Sequence, residues 1–341
     1  MKKTTIISVV LVGILGYFGV KFYTKNYKNN VQKAGYIVIS KNSKIEDIFE
    51  KIKPYLKDKN TFREVALSKN MDEKFKIGRY YIQKGMGNAE IVNMIKAGNQ
   101  SEDTFRIGDF GDVYQMIGRV SQKTEADSLQ FVKEFDKIAQ DKGLHNAEDL
   151  KKYFFIDTYN FYWSVSPQQF FKKFEKQYDD FWTADRQEKY KNMGLTREQV
   201  YALASIVYKE SGGKPDEQKT IAGLYLNRYR KGMKLQSDPT VIYAVSKDSQ
   251  FKTKIKRVLY KDLKNPSLYN TYANKGIPPG PICIVDKKSI DAVLNAEKNN
   301  YIFMCADTER IGYHIFTDSD VEHAKNAKKY QEWLDKKNIK N

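Results

Sequence analysis

The sequence predicts an α+β protein: an N-terminal transmembrane helix, a small β-α-α-β module, and a larger mixed α+β domain that holds the candidate catalytic residue. Three observations predict it. An apolar run at residues 6–20 opens the chain between lysines. Two short runs of β-branched and aromatic residues, 36–40 and 77–82, bracket segments with helical spacing. From Thr196 onward, helical periodicity gives way to a rigid Gly/Pro-rich segment and then to a pair of short strands.

Met1-Lys2-Lys3 is a basic start, and residues 4–23 reach the length of a membrane span if Lys21 and the aromatic rings sit at the interface. No small-residue cleavage site follows and no cysteine is there to take a lipid, so this segment reads as an uncleaved signal anchor. Residues 23–32 are polar and lysine-rich and read as a tether, closing a first part at 1–33. The module at 34–100 then has a strand at 36–40, helices at 45–52 and 67–75, a strand at 77–82, and a helix at 88–97 stopped by Gly98. A third part, 101–341, begins with an aromatic-rich region at 101–195. Helices are expected there at 113–120 and 126–138, and from Pro167 to residue 178. The aromatic stripe at 154–163 is either plain core or the lining of a carbohydrate groove, where flat rings stack on sugar faces.

With 341 residues and 41% hydrophobic content the chain can bury a core and is long enough for two domains or more. Its 24 Tyr and 19 Phe argue against disorder, so the 30% of charged residues belong to the wetted surface of folded units. The formal net charge of +17 favours an anionic partner: nucleic acid, an acidic membrane or an acidic polymer. The lysines are scattered through 21–33, 252–264 and the tail after 325, without zinc-finger spacing, an RNP-like motif or a basic zipper, which argues against nucleic acid. His145, His314 and His323 are too dispersed for a metal site, and neither a metal nor another cofactor is implied. Cys283 and Cys305, the only cysteines, are compatible with two buried thiols or with one disulfide.

The candidate acid is Glu210. Thr196 followed by Gln199 reads as a capping box, and Val200, Leu203, Ala204 and Val207 recur at the spacing of a helix lying on a core. Glu210 comes three residues after Val207, just before Gly212-Gly213 opens a loop, so its carboxylate falls on or beside the buried face. Partial burial raises a carboxyl pKa, which suits a proton donor near neutral pH. The competing reading is an ordinary salt-bridged or capping glutamate. A second helix at 217–229 carries Ile221, Leu224 and Arg228 on one face and ends at Gly232. Ser237 or Asp238 can cap a helix whose first turn holds Pro239, whereas Gln236 is not explained as a cap. Residues 275–282 are too rigid for a helix or a central strand, 302–306 and 313–316 pair as strands across a turn with Gly312, and a charged helix starts at Val321.

Four blocks occur in order: ASIVYKE, IAGLYLNRYRKGMKLQSDPTVIYA, YNTYANKGIPPGPI and FMCADTERIGYHIF. Together they resemble the endolytic murein transglycosylases of the MltG or YceG-like family, strongly over 196–316 and weakly back to residue 34. The resemblance implies a single-pass bacterial inner-membrane protein with a LysM-like part at 34–100 and a catalytic domain on the periplasmic side that cuts nascent peptidoglycan strands internally. It places the family's catalytic glutamate at Glu210. Tyr208 stands where the family has another acid, and Ile156 stands where it has a proline before Asp157-Thr158-Tyr159. Gln236, Asp238, Asn270, Tyr272 and His314 match the family's cleft and become the substrate-binding candidates. The implied partners are glycan strands, membrane lipid around the anchor and, as candidates, peptidoglycan synthases. The implied reaction leaves 1,6-anhydro ends and needs only one carboxylate. A reading of another class is a membrane-tethered peptidoglycan-binding scaffold with little turnover.

Overall fold

The computed structural model describes residues 3–252, 255 and 258–337. The Met1-Lys2 start, Lys254, Lys256 and Arg257 of the basic stretch, and the tail after residue 337 lie outside the described residues. The chain forms two compact units.

The first unit contains residues 1–105, 120–127 and 160–166. It opens with α1 (Lys3–Tyr27), whose stretch Ile7–Tyr27 is, among the described residues, the one helix long and apolar enough to cross a membrane. From Ile7 to Phe22 its Val, Leu, Ile and Phe side chains stand exposed on every side, as in a helix meant for an apolar solvent. The tether expected at 23–32 is instead ordered. Helix α1 continues to Tyr27, Asn29 bridges to Gly87 and Val31 to Leu56, and Val31 is fully buried. The polar residues that read as a solvated linker are held by Asn88, the first residue of the helix at 88–97. Asn30 Nδ2 donates to Asn88 Oδ1 (2.7 Å), and Asn88 Nδ2 donates to the Lys25 carbonyl at 2.9 Å. Beyond this join, β1 (Gly35–Ile39) pairs antiparallel with β2 (Gly78–Ile82), Ile37 opposite Tyr80. Between them lie α2 (Ile45–Ile52), where expected, and α3 (Lys59–Ser68), earlier than the expected 67–75. Asp58 sets that earlier start by accepting from the Asn60 and Thr61 amides, and Asn70, in the left-handed region, lies just past the end. Helix α4 (Asn88–Ala97) stops at left-handed Gly98.

A separate two-stranded sheet joins β3 (Glu102–Ile107) to β4 (Asp157–Tyr162). The second unit contains residues 106–119, 128–159 and 167–341. Its helices α5 (Val113–Val120), α6 (Ser128–Asp141) and α7 (Pro167–Phe181) enclose an aromatic core. Phe154 and Phe155 are fully buried, and Phe154 and Tyr159 lie against Phe174, so these rings of the aromatic stripe are core of this unit, while Tyr162 beyond them is exposed. Helix α8 (Ala184–Asn192) has no fully buried residue, which is why periodicity does not reveal it. Helix α9 (Arg197–Glu210) has the expected capping box, Thr196 Oγ1 accepting from Gln199 N and Gln199 Oε1 accepting from Thr196 N. Every residue from Val200 to Val207 is buried, because α9 packs against α8, α10 (Pro215–Arg230), α11 (Asp238–Asp248) and α12 (Lys287–Leu294). A helix enclosed in this way holds its last residue in a fixed place. Strands β5 (Phe303–Ala306) and β6 (His314–Thr317) pair antiparallel, with α13 (Asp320–Lys336) packed on both.

Candidate active site

Glu210 is the last residue of α9, and the chain leaves it through Gly212 and Gly213, both in the left-handed region. That turn requires glycine, and it lets α10 fold back with Pro215 in its first turn. Tyr225 on α10 then reaches Glu210, its hydroxyl donating to Oε1 at 2.8 Å. Ser237 donates to the same oxygen at 2.5 Å. Oε2 accepts no hydrogen bond among the described residues, and the carboxyl group opens on a cleft of about 440 Å³. Tyr225 and Ser237 are buried, so both donors are fixed in place and shielded from water.

Burial raises the Glu210 pKa above the ordinary carboxyl value, against the opposing hydrogen bonds from Ser237 and Tyr225. The nearby charge of Asp238 pushes in the same direction as burial, and His314 opposes it. The group is therefore protonated more readily than an ordinary carboxyl, and its Oε2 is left without a hydrogen bond among the described residues. Glu210 makes no salt bridge among the described residues and caps no helix, so the ordinary reading of it does not hold.

The cleft brings together Gln236, Asp238, Tyr272 and His314 with Glu210, and excludes Asn270. Gln236 sits at φ 54°, a conformation that costs a non-glycine residue about 1–3 kcal/mol and persists only when its surroundings enforce it. Those surroundings are Thr271, whose carbonyl accepts from Gln236 N at 3.2 Å, and Arg228, which donates to Gln236 Oε1. Arg228 also donates to the carbonyls of Lys234 and Ile302, and burial lowers its pKa. Asp238 is not the cap of α11. Ser237 occupies that position, with its hydroxyl turned to Glu210, while Asp238 Oδ1 accepts from Tyr272 Oη at 2.7 Å. His314 hangs from β6 with both its backbone N (2.8 Å) and its Nδ1 (3.1 Å) on the carboxylate of Glu217.

Asn270 needs correcting as a substrate-binding candidate. It is fully buried; its amide donates to the Leu263 and Asn265 carbonyls, and its Oδ1 accepts from Tyr272 N. Every polar atom of its side chain is spent on shaping the loop that presents Tyr272. Sequence reasoning missed Tyr225 and Glu217 and saw Ser237 only as a possible cap. The available signal was Arg228 on the apolar face of its helix, since a buried guanidinium implies carbonyls or a ligand to receive it. Cys283 and Cys305 are both free thiols; Cys283 is buried and Cys305 lines the cleft.

The profile of the YceG-like family matches residues 37–329. The chain belongs to the YceG-like family. One relative, the endolytic murein transglycosylase of Bacillus subtilis (strain 168), is 30% identical over 273 residues, covering 75% of this chain and 73% of that protein. The endolytic murein transglycosylase of Streptococcus pneumoniae serotype 2 (strain D39 / NCTC 7466) is 34% identical over 140 residues, which are 40% of this chain and 24% of that longer protein. The crystal structure of a YceG-like protein from Listeria monocytogenes shares the fold, with a TM-score of 0.55 and 24% identity over 86% of this chain and 99% of that one.

Proposed function

We propose that this YceG-like chain is an endolytic lytic transglycosylase that cleaves the β-1,4 bond between N-acetylmuramic acid and N-acetylglucosamine in nascent peptidoglycan strands and leaves 1,6-anhydro ends. The observation that carries the reading is Glu210. It is a carboxyl group biased towards protonation, held by two buried hydroxyls on one oxygen and open to the cleft through the other. Glu210 donates its proton to the glycosidic oxygen as the bond from the anomeric carbon breaks. The C6 hydroxyl of the same muramic acid attacks that carbon, and its proton passes to the Glu210 carboxylate, which restores the acid. No water enters the balance. The nucleophile is tethered to the ring it attacks, so the second carboxylate of an ordinary glycosidase is not needed.

Tyr225 and Ser237 stabilise the ionised form of Glu210 that appears between the two proton transfers. The strained Gln236, the Asp238–Tyr272 pair and His314 line the cleft where the sugar's acetamido and hydroxyl groups require partners, and Asn270 acts through Tyr272. Helix α1 anchors the chain as a single pass, with the second unit outside the cytoplasm. The module at 34–100 is LysM-like and contacts glycan, and peptidoglycan synthases are the candidate partners. Incubating full-length enzyme with uncrosslinked glycan strands tests the reading. Glu210→Gln preserves the acceptor for both hydroxyls but cannot give up a proton, so it should lower cleavage by about 10²–10⁴-fold at unchanged glycan binding. Cleavage by the folded variant at near the native rate would refute it. Binding without cleavage by the native protein would favour the scaffold.

A further inference from the structure

We propose that the corner between the end of α1 and the start of α3 is a binding site for the phosphate headgroup of an anionic phospholipid. Lys21, Thr24, Lys25 and Lys28 recur at the spacing of one helix face and form one wall of a cavity of about 510 Å³. Lys57, Asp58, Thr61 and Glu64 form the facing wall. The floor is rigid: Asn30 and Asn88 are buried, hydrogen-bonded to each other, and tied to Asp58 and Lys25 through backbone groups.

The charges in the cavity do not cancel. Four lysines face two acids, an excess of two positive charges. Glu64 is taken by Lys25 at 2.5 Å, and Asp58 is engaged by the amides of Asn60 and Thr61. Lys21, Lys28 and Lys57 have no acidic partner among the described residues. Three unpaired ammonium groups around a fixed polar floor match a phosphate diester, which brings a negative charge and several acceptor oxygens.

Depth selects a lipid over a soluble anion. The apolar span ends at Tyr27, and Lys21 lies six residues inside it, about 9 Å along the helix axis. The lysine wall therefore crosses the headgroup layer of a bilayer that α1 spans, which is about 5–7 Å deep on each side. The apolar side chains before Lys21 stay in the hydrocarbon while the lysines reach the phosphates. This goes beyond general attraction of a basic chain to a membrane, because it assigns the contact to one built cavity.

The test reconstitutes the full chain in phosphatidylcholine nanodiscs containing a small fraction of phosphatidylglycerol and measures retained phosphatidylglycerol by native mass spectrometry. The pocket variant is Lys28→Gln with Lys57→Gln. The control, Lys41→Gln with Lys44→Gln, removes the same charge from exposed lysines in the turn after β1. At on the order of fivefold per lysine near an anionic surface, the pocket pair should weaken retention about 25-fold. The control should stay within about twofold, and Lys28→Arg with Lys57→Arg should restore binding. Equal loss in the control, no loss in the pocket pair, or displacement of the lipid by an equal concentration of inorganic phosphate would each overturn the proposal. Failure of the native chain to enter neutral discs would overturn the span on which it rests, whatever the transglycosylase assay gives.

Discussion

The Tyr225→Phe substitution tests how the site sets its proton affinity. The change removes one hydroxyl from a residue that is 1% exposed and leaves its ring in place. Glu210 Oε1 keeps the Ser237 hydroxyl, so no acceptor is orphaned, and the stability cost is about 0.5–1.5 kcal/mol. The effect on titration is larger. A hydrogen bond to an ionised group contributes about 1.5–3 kcal/mol, and this one favours the carboxylate over the acid. Removing it raises the Glu210 pKa further, so the acid survives to higher pH and the descending alkaline limb of the cleavage profile moves towards higher pH. The assay is the initial rate of strand cleavage between pH 5 and 9, with thermal unfolding measured alongside. An unmoved limb, or one displaced towards acid, would refute the electrostatic account. A loss of about 10²–10⁴-fold at every pH would show that Tyr225 itself transfers the proton.

Three further outcomes are expected. The folded pKa of Glu210 lies above its ordinary value of 4.5, so the stability this group contributes is fully present below that value and is lost as pH rises through the folded pKa. Glu210→Gln should therefore gain in melting temperature relative to the native chain as pH goes from 4 to 8, and a difference independent of pH would contradict the shift. Asn270→Ala leaves two partly buried carbonyls and the Tyr272 amide without partners and should cost about 1–3 kcal/mol in urea unfolding, with KM rising more than kcat falls. Lys151 is buried against Glu148, donates to Tyr243 Oη at 3.0 Å and supports the Pro281 carbonyl, so Lys151→Ala should cost about 3–5 kcal/mol in the same measurement by leaving a poorly solvated carboxylate.

The legible parts of this protein are those fixed by neighbours in sequence. The Thr196/Gln199 capping box and the apolar face that follows locate α9, and the glycine pair locates its end, so Glu210 could be singled out. The hairpin of β5 and β6 and the short α2 and α4 are equally local. What escaped depends on contacts across the chain. Ser237 was legible as a cap, but its hydroxyl turns to a carboxylate 27 residues upstream, and His314 is fixed by Glu217 from 97 residues away. Asn270 matched a motif that marks position, while its burial decides that it shapes a loop. Polarity misled at 23–32, where Asn30 and the Lys25 carbonyl, which read as part of a solvated tether, are held by Asn88 of α4 and join α1 to its module. Leu67 and Phe75 suggested a helix that Asp58 and Asn70 place earlier.

The most direct test of the central claim is the mass of the fragments released from uncrosslinked glycan strands in heavy-oxygen water. The account predicts internal fragments one water short of a reducing end and free of the heavy label, because the C6 hydroxyl and not solvent closes on the anomeric carbon. Fragments of full mass carrying one heavy oxygen would mean hydrolysis, with a second carboxylate such as Asp238 activating water, and would contradict it.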